Sequence, residues 1–141
     1  MENSITIDAG VIRLVVNKDP ERAFEFNPRD MIFVECYYNM LEEFEAKQEE
    51  YLKRAKLLED DSEMDSRGAF KNTKERIKLL KEVCVYFRGQ IDSIFGKDTS
   101  KVVFGKAMSL EMIVQFLNEV TPYIEKERQE KMKKYAVKKE A

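Results

Sequence analysis

The chain has 141 residues, enough for one domain with a real core and short for two independent ones. Apolar residues make up 43% and charged residues 37%, which excludes a disordered chain and suits a soluble protein with much exposed helix. The formal net charge of −2 excludes a global electrostatic drive toward nucleic acid or an anionic membrane, so neither is an expected partner.

The opening MENSITIDAG has neither the basic stretch nor the apolar run of a secretory signal, and no apolar segment approaches a bilayer's thickness, so a cytoplasmic protein is expected. In SITIDAGVIRLVVN, Ile5 and Ile7, then Ile12, Leu14 and Val16, alternate around a turn signal at Asp8-Ala9-Gly10, the pattern of a half-buried hairpin. RAFEFN adds a third short run with Phe24 and Phe26 on one face. Residues 4–26 are therefore predicted to form a small antiparallel sheet of two or three strands.

Asn27-Pro28-Arg29-Asp30 reads as a helix start, because Asn caps free N–H groups, Pro suits the first helical position and Asp favours the positive end of the dipole. A helix is predicted over 28–58, with Tyr37, Leu41, Phe44, Gln48, Tyr51, Ala55 and Leu58 recurring at steps of four and three. The acidic EDDSEMDSRG interrupts this stripe. Asn72-Thr73-Lys74-Glu75 then offers a capping box for a helix over 73–95, which carries Ile77, Leu80, Cys84, Phe87, Ile91 and Ile94. Two matching seams joined by a polar loop predict an antiparallel helical hairpin, and the same seams would serve a homo-oligomer equally well. Cys36 and Cys84 lie within these helical patterns rather than in a CxxC or metal spacing, so buried free thiols are expected.

Ser109 is placed to cap a third helix over 109–121, striped by Met112, Ile113, Phe116, Leu117 and Val120, which Thr121-Pro122 should stop or kink. Residues 125–141 read as a charged helical tail with Glu127–Lys131 and Glu130–Lys134 pairs, outside a single domain at 1–124. The predicted fold class is thus α+β, mostly α: a small N-terminal antiparallel sheet packed on a long antiparallel helical hairpin, plus one or two C-terminal helices.

Chemistry-bearing patterns fail on spacing. In GQIDSIFGKDTSKVVFGKAM, a phosphate loop would need glycine five residues before each Gly-Lys, where Ile91 and Ser100 stand instead. The stretch reads as a helix stop at Gly96, a turn capped by Asp98, Thr99 or Ser100, and a second stop at Gly105, with Phe95 and Phe104 anchored in the core. Ser100-Lys101 are adjacent and so diverge on a helix, which disfavours a nucleophilic dyad. Asp61, Glu63 and Asp65 start like an EF-hand, but Ser66 and Asn72 occupy its glycine and glutamate positions. Tyr37, Tyr38, Phe44 and Tyr51 sit at core-like helical spacing rather than as a base-stacking platform. Histidine is absent, which removes the commonest general base and transition-metal ligand, so no catalytic residue, cofactor or metal is expected.

Phe26-Asn27-Pro28 with Asp30, Ile91-Asp92 through Phe95-Gly96, Thr99-Ser100, Phe104-Gly105, and Phe116 with Thr121-Pro122-Tyr123-Ile124 carry a resemblance that runs from about Ile12 to Ile124. Together they resemble a family of small phage and prophage proteins from the tail genes of tailed bacteriophages of Gram-positive hosts, whose members look like tail assembly chaperones. The chain departs from that pattern at Lys97 and Lys106, where relatives carry an acidic residue after each Phe-Gly. The resemblance implies a non-enzymatic protein of the host cytoplasm that binds the tape-measure protein, shields its apolar helices and aids tail-tube polymerisation. On this reading the partner contacts are Phe95, Gly96, Phe104, Gly105, Phe116, Tyr123, Met132 and Tyr135. A phage-encoded inhibitor of a host defence or regulatory protein, and a minor structural tail component, are the alternatives that the same composition allows. Lys133-Lys134 or Lys138-Lys139 would suit a slippery adenine run producing a frameshifted longer form.

Overall fold

The computed structural model describes residues 2–60, 64, 66–68 and 72–140, without the side chains of 59, 60 and 130–140. Two strands, β1 (Ile12–Val16) and β2 (Asp19–Phe26), precede helices α1 (Met31–Asp60), α2 (Thr73–Phe95), α3 (Thr99–Phe104) and α4 (Leu110–Glu140). This is the mostly helical α+β arrangement expected, with a small antiparallel sheet followed by helices.

The hairpin lies later than predicted. Asn17 and Lys18 form its turn at φ 52° and 62°, the left-handed pair that matches strand twist, and Ile5 and Ile7 belong to no strand. Asp8-Ala9-Gly10 is still a turn, held by the Gly10 N–H donating to Asp8 Oδ1 at 3.0 Å, but it closes no ladder. Ile12 pairs with Phe26 and Leu14 with Phe24 on the inner face, while Arg13–Glu25 and Val15–Ala23 face out. The register then jumps, so that Pro20, Glu21 and Arg22 bulge from β2. Proline, which cannot donate to a ladder, sits in this bulge.

The first long helix starts at Met31 rather than Pro28. Residues 27–30 are a turn, in which Asn27 Oδ1 accepts from the Arg29 N–H, and Asp30 Oδ1 caps the helix by accepting from the Ile32 N–H at 3.0 Å. Phe33, Val34, Tyr37, Met40 and Phe44 are its buried residues, whereas Gln48, Tyr51, Ala55 and Leu58 are half-buried along the predicted stripe. Phe33 against Phe95, Phe44 against Phe87 and Asn72 Nδ2 donating to the Leu58 carbonyl fix α1 and α2 as antiparallel. Asn72 thus ties the two helices together instead of forming the expected capping box; it makes no side-chain cap. Ile77, placed on the seam from sequence, is 59% exposed, and Leu79 is buried instead. Cys84 is buried as expected, but Cys36 is exposed, because it sits one residue off the buried face that Tyr37 occupies.

Ser109 caps α4 as predicted, its Oγ accepting from the Met112 N–H at 3.2 Å. Pro122 does not end the helix, which runs to Glu140. Thr121 Oγ1 donates to the Leu117 carbonyl at 2.6 Å, and Tyr37 Oη lies 2.7 Å from Thr121 Oγ1, so side chains hold the backbone beside the proline. The carbonyl that Pro122 leaves without an N–H belongs to Asn118, on the exposed side where water can satisfy it. The core therefore continues past the predicted break to Ile124, fully buried, and Glu125 and Glu127 reach Tyr38 and Arg29. Glu127 pairs with Arg29 at 3.4 Å, while the expected lysine partners on the tail lie outside the described side chains.

Candidate partner-binding surfaces

The Phe-Gly segment is built as structure. Phe95 stands among Phe24, Phe26, Phe33, Tyr37 and Phe116 with ring centroids 5.2–6.0 Å apart, mostly edge to face. Gly96, at φ 124°, ends α2 in a conformation that disfavours any side chain. The six-residue α3 that follows is held at both ends. Asp92 accepts from the Ser100 N–H at 2.7 Å and from Ser100 Oγ at 2.9 Å, placing a carboxylate at the helix start. Arg22, aimed by the β2 bulge, donates to the Val102 and Val103 carbonyls at 3.0 and 2.9 Å. Arg88 donates to the Gly105 and Ala107 carbonyls, both at 2.7 Å, with its guanidinium over the Phe104 ring. Gly105 supplies the second stop at φ 62°.

Of the eight partner contacts inferred from sequence, Phe95, Phe104 and Phe116 are more than nine-tenths buried, and of these Phe104 and Phe116 also line a surface groove. They are core anchors, because each closes a junction between helices. Gly96 and Gly105 are the backbone turns of the segment. Tyr123 is exposed on α4, and the side chains of Met132 and Tyr135 lie outside the described residues, as do Asp61, Glu63 and Asp65.

Among the described residues, two open apolar surfaces stand out. The first is a groove of about 500 Å³ between the β1 end of the hairpin, α3 and α4; Leu14, Val16, Val103, Met112, Phe116 and Tyr123 are among the residues that line it. The second is the outer half of the helical hairpin. Leu41, Glu45 and Gln48 line a crevice against Val114 and Leu117 of α4, so α4 covers this row of α1 as far as Gln48. Leu52 is next in the row and is 59% exposed, with half-buried Ala55 beyond it. On α2, Ile77 stands two turns before buried Cys84 on the same face and is equally exposed. The arm made by residues 48–60 and 73–83 is thus a two-helix layer whose apolar seam has no third element over it among the described residues. Sequence reasoning placed Ile77 in the seam and passed over Leu52, which lies one step off the heptad-like stripe.

Burial pushes the Tyr37 hydroxyl above its ordinary pKa, partly offset by its bond to Thr121, and likewise raises the Cys84 thiol against the opposing effect of Arg88. At the base of the arm, Tyr86 donates to Glu43, which raises the phenol pKa, and Lys47 Nζ lies 4.9 Å above its ring. Among the described residues no group of three or more His, Cys, Asp or Glu side chains could hold a metal ion, and no helix is long and apolar enough to cross a membrane.

Residues 21–141 match DUF6673, a family of unknown function. The chain belongs to that family. No curated protein and no solved structure matches it. The DUF6673 match takes in the bulge arginine, the whole Phe-Gly segment, the two-helix arm and α4, and it starts after β1.

Proposed function

We propose that this DUF6673 protein is a non-enzymatic tail assembly chaperone of a bacteriophage or prophage, acting in the cytoplasm of the bacterial host. It binds apolar helices of the tape-measure protein and keeps them from aggregating while tail-tube subunits polymerise around them. The single observation that carries the binding mode is the uncovered arm. A helix, α4, already lies on the inner part of the α1–α2 face, and the same face continues past Gln48 with Leu52, Ala55, Ile77 and Leu80. A partner helix laid in line with α4 would complete a three-helix bundle and cover that row, the helix-in-groove mode of recognition. Mixed charge around the row, with Glu49, Lys53, Lys56 and Lys81 in both signs, suits an amphipathic helix with polar flanks. The resemblance to tail chaperones supports the choice of partner.

Co-expression of the chain with the tape-measure protein of the same tail-gene cluster, followed by pull-down, tests this. Association and a gain in tape-measure solubility are expected. Neither appearing with wild-type protein would sink the reading.

A further inference from the structure

The groove beside β1 has the dimensions of a missing strand. Its α4 floor runs from Met112 to Tyr123, twelve residues of helix spanning roughly 16 Å, the length of about five residues of extended chain. One wall is formed by Leu14, Val15 and Val16 of β1, a strand that among the described residues pairs only with β2. The other edge of the sheet is covered, because Arg22 of β2 reaches the carbonyls of α3. Ile12–Val16 of the β1 edge contains no proline and no lysine, and its one charge, Arg13, is turned to the Pro20 carbonyl.

The same chain carries a segment of matching length and pattern. Ser4-Ile5-Thr6-Ile7 alternates polar and β-branched apolar residues, lies in no strand, and leaves Ile5 and Ile7 84% and 78% exposed. Its own turn prevents it from filling its own groove productively. Asp8-Ala9-Gly10 is fixed by the Asp8–Gly10 bond, by Gly10 at φ 82°, and by Arg29, which packs against Gly10 and pairs with Asp8 at 3.6 Å. Closing a hairpin through this three-residue turn sets Ile7 opposite Val11. Directly opposed residues share a face, so Ile5 and Ile7 would join Val11 and Val15, the exposed set, and turn Ser4 and Thr6 to the apolar floor. A strand arriving from another molecule has no such register constraint.

We propose that the protein self-associates by strand exchange: Ser4–Ile7 of one copy adds as a third strand to the β1 edge of a second copy, with Ile5 and Ile7 on the floor formed by Met112 and Phe116. Reciprocal exchange fills both grooves and closes a two-fold dimer. This surface is separate from the helix-binding arm, so the two readings fail independently.

Light-scattering mass measurement of the full chain across micromolar concentrations tests it, together with hydrogen exchange at high and low concentration. Wild type should give the mass of two chains. Ile5→Lys/Ile7→Lys should raise the dissociation constant by about a hundredfold or more while melting as wild type does at concentrations where it is monomeric, since both side chains are exposed in the single copy. Amides of residues 4–7 should be protected only where the dimer is populated. A second variant, Val15→Pro, breaks the edge at an outward-facing position and should give the same loss of dimer. A monomer at all concentrations, a dimer indifferent to Ile5→Lys/Ile7→Lys, or protection independent of concentration each overturns the proposal, the last by showing pairing within one chain.

Discussion

Truncating Phe95 to alanine separates a core anchor from a partner contact. The ring is 8% exposed and meets five other aromatic rings, drawn from β2, α1 and α4, so its removal opens a cavity at the point where all the layers meet. Phe→Ala changes in such sites cost about 3–5 kcal/mol, from lost transfer energy plus the cavity that remains. For a chain of this size the unfolding entropy is roughly 0.3 kcal/mol per kelvin, so the melting temperature should fall by about 10–15 °C. A total stability of about 10 kcal/mol, the middle of the usual range, leaves the variant folded at room temperature, which allows urea titration by circular dichroism to measure the loss. Phe95→Leu should cost about half as much, retaining volume but losing the edge-to-face geometry. A loss below about 1 kcal/mol for Phe95→Ala, with an unchanged denaturant slope, would refute the packing argument and return Phe95 to the surface.

Tyr37→Phe should cost about 1 kcal/mol by removing the hydroxyl that braces Thr121 and the Leu117 carbonyl, and a double-mutant cycle with Thr121→Val should show that the two losses are not additive. The same tyrosine gives a pH signature. Its folded-state pKa is raised, so above about pH 10 the unfolded chain loses the phenol proton first and stability falls as pH climbs toward the folded-state value. Tyr37→Phe should flatten that part of a stability-against-pH curve. Arg88→Lys keeps the charge but cannot span the Gly105 and Ala107 carbonyls as a fork, so a loss of about 1–2 kcal/mol and faster amide exchange in α3 are expected; wild-type stability in the variant would contradict the clamp. Maleimide titration of the native protein should modify Cys36 rapidly and Cys84 only on unfolding, and two fast thiols would contradict the buried position of Cys84.

The fold was legible where local signals and burial agree. The α1 stripe from Tyr37 to Leu58, the α2 run through Cys84, Phe87 and Ile91, and the stop at Gly96 all follow from periodicity and glycine chemistry. Legibility failed where a long-range partner overrides a local rule. Asn17-Lys18 is a weaker turn signal than Asp8-Ala9-Gly10, yet it closes the hairpin because the sheet needs Phe24 and Phe26 opposite Leu14 and Ile12. Pro122 reads as a stop in isolation, and only Tyr37, far away in sequence, shows why the helix continues. The Phe-Gly segment reads as chemically quiet from sequence, and the burial of Phe95 and Phe104 agrees with their role as core anchors of its turns. The arm could not be read, because which row of α1 and α2 lies under α4 and which lies bare depends on where α4 begins.

The helix-binding claim is tested most directly by titrating the purified protein with an apolar helical segment of the tape-measure protein, for wild type and for Leu52→Lys/Ile77→Lys. Both side chains are largely exposed, so the variant should melt like wild type. The account predicts saturable binding by wild type and at least a tenfold weaker affinity for the variant, as expected for placing two charges in an apolar contact. Equal affinity for the two proteins would contradict the arm as the binding surface, and no binding by wild type would contradict the chaperone reading itself.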